Sequence, residues 1–279
     1  MRNTILAAAL LGLSSGYASA QAPRDWNAPF PAHRVIDNVY FVGTEALGTF
    51  LITTPNGHFL INSDFETTVP LIRASVESLG FKFEDIEIIL GSHAHGDHME
   101  ADALVKELTG ADVMVMQEDV EGLRALRPHG KEHPIDRILH DGEEVALGGT
   151  TLIAHRTPGH TKGCTSWCLV AEEAGKAYDV LIACSFGAND NYVLVNNPDY
   201  PQIAEDYAAM YAKARTLPVD VFLGSHGFFY DLAGKYEKLL HRQPGDANPF
   251  VDRAGYLSHI ATQEQRFRAM LQTQQAAAR

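Results

Sequence analysis

The chain has 279 residues, of which 46% are hydrophobic and 20% are charged, so it can bury a globular core. Its formal net charge of −13 and isoelectric point near 5.4 argue against nucleic acid or an anionic membrane as a partner, because both are themselves negatively charged. Composition alone leaves the fold class open.

The first twenty residues have the pattern of a cleaved signal peptide. Arg2 gives a positive start, residues 5–13 are apolar, and Ala18-Ser19-Ala20 is a small-x-small cleavage site. The apolar run is too short to span a bilayer. We therefore expect export to the periplasm or the medium, and a soluble mature protein at 21–279 that forms one domain with a C-terminal helix.

The first half of the mature chain predicts strands and helices in alternation. Apolar and β-branched runs predict strands at 39–42, 49–53, 58–61, 86–90 and 112–116. Helical spacing predicts helices at 69–79, 99–108 and 118–126. Residues 127–141 are polar and contain prolines, and they are predicted to be a loop near the strand and helix around residue 95.

The second half has the same mixed character. Strands are predicted at 144–154 (two, around Gly148-Gly149), 166–170, 180–183 and 220–223. Helices are predicted at 200–217, 231–240 and 253–271. No linker or repeat divides the two halves, and the whole pattern favours one compact α/β domain.

The densest group of reactive side chains lies between the strand at 86–90 and the helix that follows it. His93, His95, Asp97 and His98 share six positions. Side chains alternate along extended backbone, so His93 and His95 point the same way, and Gly96 lets the chain turn and bring the other two round. Imidazole and carboxylate are preferred zinc ligands, which favours a metal site over a solvated histidine-rich loop.

Two other histidines also follow predicted strands and lie next to glycine. His160 follows Pro158-Gly159, and His226 lies within Gly224-Ser225-His226-Gly227. Sites of α/β proteins gather at such strand ends. The candidates are enough for two zinc ions: His93, His95, Asp97, His98, His160 and His226. Of the remaining histidines, only His129 and His133 could reach this site, from the predicted loop.

Three cysteines make an odd number for an exported protein, so at least one thiol is unpaired or bonds another chain. Cys164 and Cys168 are about 13 Å apart on one predicted strand, which is too far for a disulfide. Cys184 could meet either of them across a hairpin. Our expectation is that all three are small core residues.

The order His-x-His-x-Asp-His, Pro-Gly-His-Thr-x-Gly and Gly-Ser-His resembles the metallo-β-lactamase superfamily, over most of the mature chain. The resemblance implies an α/β fold of the αββα four-layer sandwich type, with the site at the edge of the sheets. It also implies metal-dependent hydrolysis.

The residues that follow the strand at 180–183 indicate which subgroup of the superfamily the chain resembles. Glyoxalase II, lactonases and RNA-processing nucleases of this superfamily carry a bridging aspartate there, whereas this chain has Cys184-Ser185. Lactamases with a cysteine ligand lack a histidine where His98 stands, although a one-residue shift could still make Cys184 a ligand. The chain looks most like subclass B3, whose second metal takes Asp, His and His.

This resemblance implies two zinc ions, the first held by His93, His95 and His160 and the second by Asp97, His98 and His226. A metal-bound hydroxide would then hydrolyse the amide bond of penicillins, cephalosporins and carbapenems, which confers antibiotic resistance. Asp97 would orient that hydroxide.

Other positions of the resemblance concern the substrate carboxylate. Ser185 would hydrogen-bond that carboxylate, and capping of the strand end is an equal alternative for its hydroxyl. Gly187 stands where the family often has a second carboxylate-binding serine, and Met99-Glu100 stands where it usually has small residues.

Two other functions fit the same residues. One is a zinc hydrolase of this fold that acts on another ester, lactone or phosphodiester, and the other is a periplasmic zinc-binding or storage protein. The second has little need for an aspartate among its histidines. We expect a monomer that acts on a small molecule, without nucleic acid or membrane partners.

Overall fold

The computed structural model describes residues 25–279, and the predicted signal peptide lies outside the described residues. The first half of the described chain forms a seven-stranded sheet whose spatial order follows the sequence. Its strands are β1 (His33–Ile36), β2 (Val39–Phe41), β3 (Phe50–Thr54), β4 (Gly57–Ile61), β5 (Ile86–Leu90), β6 (Asp112–Met116) and β7 (Arg137–Leu139). Strands β1 to β4 are antiparallel, and β4 to β7 are parallel.

The second half forms a five-stranded sheet. Its strands are β8 (Glu144–Leu147), β9 (Thr150–Arg156), β10 (Thr165–Glu173), β11 (Lys176–Ala183) and β12 (Val221–Gly224). The order is β12-β11-β10-β9-β8, antiparallel except for the β11–β12 pair. The helices of the described chain are α1 (Val69–Ser78), α2 (Gly96–Met99), α3 (Asp102–Thr109), α4 (Val120–Ala125), α5 (Ile203–Ala214), α6 (Leu232–Leu240) and α7 (Arg253–Ala277).

Alternation of side chains along the central strands explains the layers. In β4, Phe59 and Ile61 belong to a core shared with the second sheet, whereas Leu60 between them belongs to a core shared with α1 and α3. The first sheet is therefore apolar on both faces. The shared core continues through Trp167 of β10 to helices α5 and α7 on the far side. The predicted αββα sandwich is confirmed.

Two predicted elements differ from the structure in part. The helix expected at 99–108 begins later, at Asp102 of α3, and Met99 ends the separate helix α2. The two helices are separate because the His98 carbonyl accepts from the backbone N–H groups of Ser63 and Asp64, at 2.9 and 3.1 Å, instead of continuing the helical ladder. The loop expected at 127–141 contains β7, which adds a short parallel edge strand beside β6. Among residues 25–279, no helix is long and apolar enough to cross a membrane.

Candidate metal centre

The predicted ligands lie in three loops that converge at one edge of the two sheets. The His93–His98 segment leaves β5, His160 lies in the loop from β9 to β10, and His226 follows β12 directly. The imidazole centroids of His93 and His160 are 4.7 Å apart, and those of His98 and His226 are also 4.7 Å apart. Residues distant in sequence therefore form one cluster of donor atoms.

One face of the cluster holds three imidazoles. Ligand nitrogens of His93, His95 and His160 all lie within 4.8 Å of one another. His160 donates from Nδ1 to the Gly187 carbonyl at 2.9 Å, and because a carbonyl only accepts, Nε2 of this ring keeps its lone pair. Backbone contacts of this kind orient histidines that bind metal.

The other face combines a carboxylate with imidazoles. Asp97 Oδ2 lies 3.2 Å from His98 Nε2 and 3.7 Å from His226 Nε2. His226 donates from Nδ1 to the Ala46 carbonyl at 3.2 Å, which again leaves Nε2 directed at the cluster. Asp97 and His98 also form a possible ligand group with His93, their donor atoms lying within 4.8 Å of one another. His93 is therefore close to both faces.

Buried nitrogens without partners test whether these residues fit a metal ion. His93 Nε2 and His98 Nδ1 are buried and have no hydrogen-bond partner among the described residues. Leaving such atoms unsatisfied is costly, so buried polar groups of this kind need an explanation. A cation bound between the imidazoles and Asp97 supplies one, and the donor set of histidine nitrogens and one carboxylate is that of a zinc site.

The cluster has the protonation states that ligation requires. Burial lowers the pKa of His93 well below its ordinary value and lowers the pKa values of His160 and His226 to about 3. Burial alone would raise the pKa of Asp97, but the neighbouring His98 and His226 hold it well below the ordinary value. At neutral pH the imidazoles of His93, His160 and His226 are thus neutral and the carboxylate of Asp97 is ionised, as metal ligands must be.

These shifts predict that acid destabilises the metal-free protein. The pKa values of His160 and His226 are about 3 when folded against 6.5 for a free histidine, so the unfolded chain binds more protons between these pH values. Stability is then fully present above about pH 6.5 and falls as the pH drops, by up to about 1.4 kcal/mol per pH unit for each histidine.

Urea unfolding of chelator-treated protein at several pH values measures this dependence. The variant His160→Asn should show a shallower dependence than the unmodified protein. The variant His241→Asn should not, because that ring is 76% exposed and pairs only with Glu237. A metal-free protein whose stability is constant or rises on acidification would contradict the prediction.

Asp119, which belongs to none of the predicted ligand motifs, joins two of the loops that carry ligands. Its buried carboxylate accepts from the backbone N–H of Ala94 at 2.9 Å, from Thr161 Oγ1 at 2.8 Å and from the backbone N–H of Gly163 at 2.7 Å. A Cβ at Gly163 would lie 2.6 Å from the backbone nitrogen of Asp119, so only glycine fits there. The available signal was a carboxylate just after the strand β6.

Further buried contacts fix the backbone that leads into the ligand segment. Trp167 donates from Nε1 to the Gly91 carbonyl at 3.0 Å, and the backbone N–H of Ser92 donates to Asn62 Oδ1 at 2.8 Å. A Cβ at Gly91 would lie 2.2 Å from Met99 Sδ. Met99, which stands where the family usually has a small residue, therefore occupies the space that a side chain at position 91 would need.

All three cysteines are buried in the core as expected, but two of them are bonded to each other. Cys164 and Cys184 form a disulfide that links the loop before β10 to the end of β11, and Cys168 is a buried free thiol. A hairpin pairing was one open alternative, and it is the one adopted. Because Cys184 is bonded to Cys164, it cannot act as a thiolate ligand, although its sulfur lies 3.4 Å from His93 Nδ1.

The two loop histidines do not enter the cluster. His133 is buried with its Nε2 3.0 Å from Asp102 Oδ2, and that carboxylate also accepts from Ser63 Oγ at 2.6 Å. His129 is exposed and its Nε2 lies 2.9 Å from Glu66 Oε2. Within the described chain, no residue of 127–141 lines the cavity beside the cluster.

That cavity has a volume of about 790 Å³ and opens directly onto the cluster. Four aromatic residues contribute to its walls, namely Trp26, Phe65, Phe228 and Phe229. Ser185 lies just beyond β11 and also lines the cavity, with Gly187 two residues further on. Its size and its mixed lining suit a small organic molecule with polar groups.

Comparison with known proteins gives a family match. A family model described as the metallo-beta-lactamase superfamily matches residues 49–226. The solved structure of the FEZ-1 metallo-beta-lactamase from Legionella gormanii is 43% identical, has a TM-score of 0.86, and is matched over 90% of this chain and 99% of that one. For BJP-1, a subclass B3 metallo-beta-lactamase of Bradyrhizobium japonicum, the identity is 33%, the TM-score 0.83 and the coverage 91% and 98%.

Curated relatives are more distant and have other names. A hydroxyacylglutathione hydrolase of Fuscovulum blasticum is 26% identical over 71% of this chain and 67% of that relative. A probable metallo-hydrolase of Burkholderia pseudomallei is 31% identical over 46% of this chain. The matched region spans only 43% of the length of the Burkholderia relative.

Proposed function

The chain belongs to the metallo-β-lactamase superfamily, and on that basis we propose that it is a zinc-dependent β-lactamase of subclass B3, which hydrolyses the amide bond of penicillins, cephalosporins and carbapenems. The observation that carries the proposal is the end of β11. There Ser185 lines the cavity beside an Asp-His-His donor group, where the hydroxyacylglutathione hydrolases would carry a bridging aspartate.

We propose that His93, His95 and His160 hold one zinc ion and that Asp97, His98 and His226 hold a second. When bound, the ions supply an activated water as the nucleophile and polarise the carbonyl of the substrate. Residues of the protein orient the ligands. The Gly187 and Ala46 carbonyls keep Nδ1 of His160 and His226 protonated, so that Nε2 of each ring faces the cluster.

Asp97 has two roles in this proposal. Its carboxylate is ionised at neutral pH, and besides acting as a ligand it orients the attacking water through a hydrogen bond. The carboxylate is held in place between His98 and His226. Ser185 donates a hydrogen bond to the carboxylate that β-lactams carry. Trp26 and Phe228, which flank His226 at ring distances of 5.6 and 4.9 Å, pack against the fused rings.

The second candidate is the activity named for the Fuscovulum relative, hydrolysis of a hydroxyacylglutathione. Sequence identity of 26% over 71% of the chain favours it. The missing carboxylate after β11 speaks against it, and so does the higher identity to lactamase structures over almost the whole chain.

The deciding experiment uses purified mature protein with a chromogenic cephalosporin and a carbapenem, first with added zinc and then with a chelator. We expect turnover that the chelator abolishes and that zinc restores. A hydroxyacylglutathione thioester, a lactone and a phosphodiester serve as parallel substrates. Faster turnover of any of these than of the β-lactams would replace the lactamase assignment, and zinc binding without any turnover would favour a storage protein.

The setting of the enzyme is part of the same proposal. We propose that residues 21–279 form one domain, that the first twenty residues direct export to the periplasm or the medium, and that the mature protein acts as a monomer and confers β-lactam resistance. Mass spectrometry of the periplasmic fraction would identify the mature N-terminus, and light scattering would give the oligomeric state.

A further inference from the structure

Helix α7 forms one wall of the cavity beside the metal cluster. His259, Gln263 and Arg266 line that cavity, and their spacing of four and three residues places them on one face of the helix. This helix lies far from the ligand loops in sequence, and none of the motifs that predict the site involves it.

Arg266 gives the cavity its positive charge. Among the lining residues, all of which lie within 25–279, it is the only lysine or arginine, whereas Asp97 and Asp190 are both acidic. Its Nη2 lies 3.9 Å from Asp190 Oδ1, and the two side chains are 65% and 95% exposed. An exposed ion pair of this kind is weak, so the guanidinium can exchange Asp190 for an anionic group of a substrate.

Gln263 fills the space next to Gly187. A Cβ at position 187 would lie 2.8 Å from Gln263 Oε1, so the end of the flexible Gln263 side chain would have to move to admit it. The amide of Gln263 thus approaches the point where relatives often carry a carboxylate-binding serine, and its Nε2 can donate a hydrogen bond in place of that hydroxyl. A side chain at position 187 would therefore displace the Gln263 amide, which helix α7 brings to this point.

We propose that Arg266 and Gln263 of α7 bind the carboxylate of the β-lactam and so take over the role of the serine that is absent at position 187. The inference rests on the proposed lactamase function. Arg266 supplies charge and a two-pronged donor, while Gln263, which is less exposed, supplies a neutral donor. The proposal assigns substrate affinity to a helix that contributes no metal ligand.

The first test replaces Arg266 with alanine and uses Arg268→Ala as the matched control. Arg268 belongs to the same helix but pairs with Glu264 and does not line the cavity. We expect Arg266→Ala to raise KM for cephalosporins by about 5-fold or more with little change in kcat, as for loss of an ion pair or charged hydrogen bond. Arg268→Ala should leave both constants unchanged.

Two further measurements separate a carboxylate contact from a general effect on the fold. A cephalosporin methyl ester, which lacks the anionic group, should show the same KM with the unmodified enzyme and with Arg266→Ala. The variant Asp190→Asn should lower KM for the free acid, because it releases Arg266 from its competing partner. An equal KM increase for the ester would overturn the proposal.

The role of Gln263 is tested by a double-mutant cycle with Gly187→Ser. The single serine variant should raise KM because the new side chain collides with Gln263, and Gln263→Ala should raise it through loss of the donor. Combining both should restore KM toward that of the unmodified enzyme, and additive effects would overturn the proposal for Gln263. If the unmodified enzyme turns over no β-lactam, the proposed function fails, whereas turnover that is insensitive to Arg266 defeats only this inference.

Discussion

Replacing His160 with alanine is expected to lower kcat/KM for a β-lactam by more than about 100-fold. Residues that merely support a metal ligand typically contribute about 10- to 100-fold in affinity or activity, and removal of a ligand should exceed that. His160 is a suitable choice because its ring contacts the Gly187 carbonyl and the ring of Tyr192 at the edge of the sheets and is not part of the hydrophobic core. The fold should therefore tolerate its replacement. Steady-state kinetics and zinc content by mass spectrometry measure the effect.

The matched control is His241→Ala, which removes an exposed imidazole just after α6 that pairs with Glu237 and does not line the cavity. Its zinc content and rate should equal those of the unmodified protein. A His160→Ala protein that keeps two zinc ions and more than about a tenth of the activity would show that the ligand assignment is wrong, since one tenth corresponds to only about 1.4 kcal/mol.

Asp119→Asn is expected to weaken zinc binding by about 10- to 100-fold and to lower the free energy of unfolding by about 1 to 3 kcal/mol, the cost of a buried donor left without its acceptor. The substitution keeps the size of the side chain, but an amide can accept at only one of its two ends. In the unmodified protein, the donors of Ala94, Thr161 and Gly163 are distributed over both carboxylate oxygens. In the variant at least one of these donors therefore loses its acceptor. Competition with a chromogenic chelator and urea unfolding measure the two effects.

Asp136→Asn separates the loss of stability from the loss of metal. Asp136 accepts from the backbone N–H of Val113 and from Lys106 Nζ, each at 2.8 Å, and is not among the residues that line the cavity. It should lower stability without changing zinc affinity. If both variants change zinc affinity alike, Asp119 acts only through the general stability of the fold.

Local sequence could predict those parts of the site in which a residue able to bind metal directly follows a predicted strand. A histidine or aspartate directly after an apolar strand can be recognised in either half of the chain, and the six candidates do lie together. The strands at 86–90 and 112–116 have the predicted bounds because apolar β-branched runs are a local signal.

The remaining features depend on distant partners. The break between α2 and α3 arises because Ser63 and Asp64, more than thirty residues earlier, hydrogen-bond to His98. The Cys164–Cys184 pairing and the approach of Gln263 to Gly187 likewise require the arrangement of the second sheet and α7. Asp119 looked like an ordinary acidic residue at a helix start, since its three donors lie in two other loops.

The division of the ligands between two sheets also has a consequence for the order of folding. The segment from His93 to His98 follows a strand of the first sheet, whereas His160 and His226 follow strands of the second. The two halves meet where Leu47 forms a β-bridge with His226 and the Gly48 N–H donates to the Ser225 carbonyl at 2.8 Å. Contacts so distant in sequence form slowly. We expect neither ligand group to be complete until the halves have docked, so metal capture reports the last stage of folding and not its nucleation.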